Sequence, residues 1–173
     1  MHEALLIVRL LLGLGIAAHG AQKLFGWFKG YGLANTGEFL VSLGFPPGRT
    51  FATLAGLGEL GGGLLIALGL GGPAGPAVVI LVMLTAVETV HIKNGFFAAN
   101  NGWELPLVYA LCSMVLAFTG PGRYSLDVPL GLEWLTSPRN AWAAILVAVA
   151  GALANLALSR MRIRKAPQAA AAK

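Results

Sequence analysis

Long apolar runs alternate along the chain with short segments rich in glycine, proline and charge. Five runs are candidate membrane crossings: residues 4–21, 51–70, 73–92, 103–119 and 141–158. A hydrocarbon core about 30 Å thick takes ~20 helical residues to cross. Strands with open edges would leave backbone groups unsatisfied at membrane depth, so the crossings are read as helices. Between them lie 26–48, the turn Gly71-Gly72-Pro73, the loop 94–102 and the stretch from Gly120-Pro121-Gly122 onward, where helix breakers end each run. The pattern predicts an all-α membrane protein with little length left for a soluble domain.

A cleaved leader is the alternative for the first run. His2 and Glu3 make no basic n-region and Arg9 interrupts the apolar segment, so the run is read as a retained crossing. Trp27, Trp103, Trp134 and Trp142 all fall at or just outside a proposed span, the depth at which amphipathic rings settle.

Composition sharpens the picture. Hydrophobic residues make up 57% of the chain and charged residues 11%, against about 25% charged in soluble domains. The net charge of +5 sits largely in one tail, which does not form the basic face of a nucleic-acid module. Cys112 is the single cysteine, so the chain has no internal disulfide, CxxC couple or thiolate zinc site. With the N-terminus outside and five crossings, Lys23, Lys29, Arg49, Lys93, Arg160, Arg162, Arg164, Lys165 and Lys173 lie inside, and Arg123 and Arg139 outside. The positive-inside bias therefore predicts N-out and C-in. Residues 160–173 read as a basic, disordered tail at an anionic cytoplasmic surface.

Candidate chemistry comes from ionisable groups within or beside the spans, which are costly in lipid and normally face the bundle interior. They are Arg9, His19, Glu59, Glu88, His91 and Glu104. Arg9 and Glu59 lie on antiparallel spans and are expected to pair, which would fix which helices are neighbours or orient a site. Gly13 and Gly20 share the Arg9 face, while Gly58, Gly62 and Gly63 surround Glu59, so close approach is expected beside the charges. Glu88 and His91 are spaced to share a helical face. With His19 and Glu104 they form a candidate polar cluster at the inner boundary, for proton transfer or merely as satisfied buried groups. Axial haem ligation by the two histidines finds no other support. A faint echo, His19-Gly-Ala-Gln-Lys23-Leu-Phe25 against His91-Ile-Lys93-Asn-Gly-Phe96-Phe97, is compatible with a parallel repeat.

Taken together, Arg9 with Gly13, His19-Gly20-Ala-Gln-Lys23-Leu-Phe25-Gly26, Leu43-Gly44, Glu59 with Gly62-Gly63, His91 with Asn94-Gly95-Phe96-Phe97, Gly102-Trp-Glu104 and Gly120-Pro-Gly-Arg123-Tyr-Ser-Leu126-Asp127 resemble the DoxX family over about residues 3–128. The resemblance implies a four-helix transmembrane bundle in a bacterial or archaeal cytoplasmic membrane, followed here by an additional C-terminal transmembrane helix (129–159 with its linker) and the 160–173 tail. It also implies a membrane subunit of a quinone- or thiol-linked oxidoreductase system. In that reading His19, His91 and Glu104 are catalytic, Arg9, Glu59 and Glu88 line a quinone pocket, and no metal is used. The alternatives are a small solute or proton transporter, and a non-catalytic anchor for a soluble oxidoreductase. Expected partners are the lipid bilayer, a quinone, a soluble oxidoreductase subunit or a second copy of the chain, and no nucleic acid. Glu88, one turn before the family histidine, departs from the family pattern.

Overall fold

The computed structural model describes the backbone of residues 1–171 and the side chains of residues 1–163. Helices α1 (His2–Phe25), α3 (Gly48–Leu68), α4 (Ala74–Ala86), α5 (Glu104–Thr119) and α6 (Pro138–Ala171) form the bundle, and no strand occurs among the described residues. Helix α4 continues through a π-turn, Val87–His91, and a tight turn, Ile92–Asn94. Four of these helices are long and apolar enough to cross a membrane, and α5 is a shorter apolar helix of 16 residues. The expected all-α membrane bundle with an added C-terminal helix is what the chain forms.

The loop expected over 26–48 contains a further helix, α2 (Gly32–Ser42). It is only 11 residues long and carries Gly37 at its centre, too short a run for a helical period to stand out in the sequence. At the other terminus α6 runs on to Ala171, past residue 160, where a disordered tail was expected. The side chains of 164–173 and the backbone of 172–173 lie outside the described residues.

Helices α1 and α3 are antiparallel and meet backbone to backbone. A Cβ added at Gly13 would stand 2.5 Å from the Gly63 carbonyl oxygen, and one at Gly20 would stand 2.6 Å from that of Gly56. Two glycines seven residues apart on each helix thus form one seam. Gly58 and Gly62 face the other way, toward Val82, Val78 and Val79 of α4, and do not belong to it. Small residues permit this approach, and lipid tails give helices no hydrophobic reason to associate without close contact. Gly63→Val is therefore expected to lower stability in detergent by about 1–3 kcal/mol, the range for overpacking, while Gly61→Val should change it little, since a Cβ there meets nothing. Unfolding midpoints of the two variants check this; equal shifts would remove the seam from the account.

Helix α6 presents Ala141, Ile145, Ala148, Ala152, Leu156 and Ser159 as its buried stripe, three to four residues apart as one helical face requires. That stripe packs on Ile80 of α4 and Ala117 of α5.

Candidate functional site

The glycine seam sets the axial register of α1 and α3, and that register decides which charges meet. Glu59, 3% exposed, accepts a charge-assisted hydrogen bond from the Lys23 ammonium on each carboxylate oxygen. The expected Arg9–Glu59 pair is therefore not formed. Side chains lean toward the N-terminus of their own helix, so Lys23 and Glu59 on antiparallel helices lean toward one another, whereas Arg9 leans away from Glu59.

Arg9 instead sits at the opposite end of the bundle, 2% exposed, donating from Nη2 to the Tyr124 carbonyl at 2.7 Å. Its Nε and Nη1 have no protein partner. It packs against Gly69, a left-handed residue (φ +65°) where any Cβ would strike the guanidinium. Asp127, 1% exposed, acts on Arg9 electrostatically and accepts hydrogen bonds from the backbone N–H groups of Gly71 (2.7 Å) and Gly72 (2.8 Å). Gly69 follows Glu59 by ten residues on α3 and its cap, ~15 Å along the axis, so the two charged groups are separate sites.

At the Lys23–Glu59 end, His19, Lys23, Glu59, His91, Asn101 and Tyr109 line one chamber of about 280 Å³. The His19 and Tyr109 rings lie 6.1 Å apart between centroids. Lys23, Glu59, Ala86 and His91 also line a second chamber of about 280 Å³, whose remaining walls are mostly apolar. The ion pair thus stands where a polar and an apolar chamber join.

Hydrogen-bond partners fix both imidazole tautomers. His91 Nδ1 lies 2.8 Å from the Asn101 carbonyl oxygen; a carbonyl only accepts, so Nδ1 carries the proton. Gln22 donates from Nε2 to the Phe28 carbonyl, which presents its Oε1 to His19 Nδ1 at 3.1 Å. His19 Nδ1 is then the donor as well. In each neutral ring Nε2 remains as the basic nitrogen.

Two expected members do not join this chamber. Glu88 is exposed and pairs with Arg160 of α6 at 3.4 Å. The π-turn over Val87–His91 alters the spacing that would have stacked Glu88 over His91. Glu104 accepts from the Ala98 backbone N–H at 2.8 Å and so ties the 98–100 turn to the start of α5. Sequence reasoning missed Lys23 and Tyr109. Lys23 lies one turn after His19 on α1, and the expected pairing of Glu59 with Arg9 passes over it because span positions alone do not set the helix register. No group of three His, Cys, Asp or Glu close enough to hold a metal ion occurs among the described residues.

One family model matches the chain, and the relatives it resembles are uncharacterized proteins. The family model described as DoxX matches residues 4–92, a shorter stretch than the 3–128 of the motif resemblance. The chain is 28% identical to an uncharacterized membrane protein of Mycobacterium tuberculosis, over 72% of this chain and 79% of that one. It is 31% identical to an uncharacterized protein of Haemophilus influenzae, over 56% of this chain and 77% of that one. With a second Haemophilus influenzae protein, 27% identical, the match spans 38% of this chain and 42% of the relative. No solved structure matches.

Proposed function

Because the chain belongs to the DoxX family, we propose that it is the membrane subunit of a quinone-linked oxidoreductase system, binding the quinone head group in the polar chamber. The observation that carries this reading is the junction of the two chambers at Lys23, Glu59 and His91. A site for an amphipathic redox carrier needs an apolar slot and a few convergent polar groups.

The residues fit both forms of such a head group. Quinone carbonyls accept hydrogen bonds, and Lys23 and the Tyr109 hydroxyl are donors; quinol hydroxyls donate, and Glu59 and the Nε2 atoms of His19 and His91 are acceptors. A bound quinone supplies a two-electron, two-proton couple. The protein's part is to hold protons on imidazole nitrogens, orient them through Gln22 and Asn101, and present Lys23 and Glu59 together at the head group. A single cysteine cannot run a dithiol cycle within one chain, so a thiol or sulfur donor would act through a soluble partner. The basic residues orient the protein with its N-terminus outside and the chamber on the cytoplasmic side of a bacterial-type inner membrane. Residues 1–128 then form the bundle unit and 129–159 the added helix.

Titration of the purified full chain with a tail-less benzoquinone tests the reading. Saturable binding is expected, weakened about tenfold in Tyr109→Phe, the worth of roughly one hydrogen bond. Absence of saturable binding, or equal affinity in the two proteins, would reject the head-group assignment. In membranes containing His91→Ala, electron transfer from candidate donors to quinone should fall at equal protein level.

A further inference from the structure

The apolar chamber is a groove whose floor is α4, at Leu81 and Thr85, and whose walls are Leu54 and Ala55 of α3 and Asn155 of α6. Phe39 of α2 lies over one end. Leu54 is 59% exposed, so the groove opens sideways on the surface that apolar helices turn to lipid, and it runs inward to Lys23 and Glu59. Helix α6 is fastened so as to keep this shape. The buried Ser159 hydroxyl donates to the Leu43 carbonyl at 2.6 Å. Arg162 donates to the Pro46 carbonyl at 2.7 Å and lies 5.4 Å above the Phe51 ring. Ile163 packs on Gly44, where an added Cβ would come within 2.7 Å of it. These contacts bind α6 over residues 159–163 to the segment that follows α2, and Arg160 binds it to Glu88 of α4.

We infer that the groove between α3 and α6 seats the single hydrocarbon tail of the molecule whose head lies in the polar chamber, and admits it laterally from the bilayer. The inference rests on the head-group reading above and adds the tail, its route and a role for the sixth helix. A chain entering here passes from hydrocarbon to an apolar groove without crossing water, so no desolvation step opposes it. The ion pair at the inner end is neutral overall, which suits an uncharged head rather than a phosphate, whose charge would want an unpaired cation. Asn155 is the α6 residue on the groove: α4 and α6 run side by side, with Gly151 against Leu81, which sets Asn155 one turn further, level with Thr85.

The test uses the full chain in lipid nanodiscs and a benzoquinone whose alkyl tail ends in a photoreactive diazirine, with cross-linked residues mapped by mass spectrometry. Labelling is expected on the start of α3 and on α6 around Asn155, and excess tail-less benzoquinone should abolish it. Ala55→Trp, which fills the groove, should lose that labelling and keep its affinity for the tail-less compound; Asn155→Trp reads the same thing from the other wall if Ala55→Trp does not fold. Labelling confined to the lipid-facing residues of α1, Leu10, Leu11 and Leu14, in a protein that still binds the tail-less compound, would overturn the groove and leave the head-group reading intact. A wild-type protein that binds neither compound overturns both.

Discussion

Lys23→Met is expected to destabilise the protein by about 3–5 kcal/mol in detergent, the range for removing one partner of a buried ion pair. Glu59 is then left inside the bundle with neither counter-charge nor donor, since both hydrogen bonds on its carboxylate come from Lys23. Glu59→Leu should cost less. The Lys23 side chain is 34% exposed, and a long cationic side chain freed from its partner can extend toward the interface. The double variant should recover part of the loss, with a coupling of about 0.5–3 kcal/mol. Unfolding of the two single variants and the double variant in mixed micelles measures all these quantities. Simple additivity would mean that the pair does not hold the bundle end together. A larger loss from Glu59→Leu than from Lys23→Met would contradict the burial asymmetry. The same ion pair stands at the chamber junction, so quinone affinity should fall in Lys23→Met even under conditions where the protein remains folded.

The way this pair escaped sequence reading shows what a single chain makes legible. Apolar length and breakers place the starts of the apolar helices within a few residues, because bilayer thickness and the absence of open strands leave few options. Partner choice among charges is a finer matter. It depends on helix register to within one turn and on the direction in which side chains lean. The signal was nevertheless present: Gly13 and Gly20 are spaced as Gly56 and Gly63 are, and sliding the two pairs into antiparallel coincidence sets Glu59 beside the end of α1 that carries His19 and Lys23. Adding the N-terminal lean of side chains selects Lys23 over Arg9. The fate of Glu88 had no such signal. A π-turn replaces the ordinary helical spacing at Val87–His91, and the competing partner, Arg160, belongs to a helix whose neighbour was not deducible. Tyr109 was passed over because one phenol in an apolar run reads as packing until a second element brings polar groups to face it.

At the far end, Asp127→Ala is expected to cost more than Arg9→Leu, although arginine is the larger buried group. The reason lies in what each substitution leaves behind. Without Asp127, the Gly71 and Gly72 N–H groups lose their shared acceptor and Arg9 loses its counter-charge in the same step. An unpaired buried polar group costs about 1–3 kcal/mol, so the two N–H groups alone imply a loss of at least about 2 kcal/mol, and the charge left on Arg9 adds to it. Without Arg9, Asp127 loses its counter-charge but keeps both backbone hydrogen bonds, and the Tyr124 carbonyl loses a donor; two of the guanidinium nitrogens had no protein partner to lose. Arg9→Lys should rescue poorly, because an ammonium lacks the planar fork that reaches Tyr124 while remaining close to Asp127. The measurement is a double-variant cycle in detergent combined with titration of a tail-less benzoquinone. Both Arg9→Leu and Asp127→Ala should leave head-group affinity unchanged wherever the protein stays folded, since the polar chamber lies ~15 Å away along the bundle. A fall in affinity in Arg9→Leu would join the two ends of the bundle into one site, and a smaller stability loss in Asp127→Ala than in Arg9→Leu would show that the buried arginine, and not the carboxylate that caps the Gly71-Gly72 turn, organises that end.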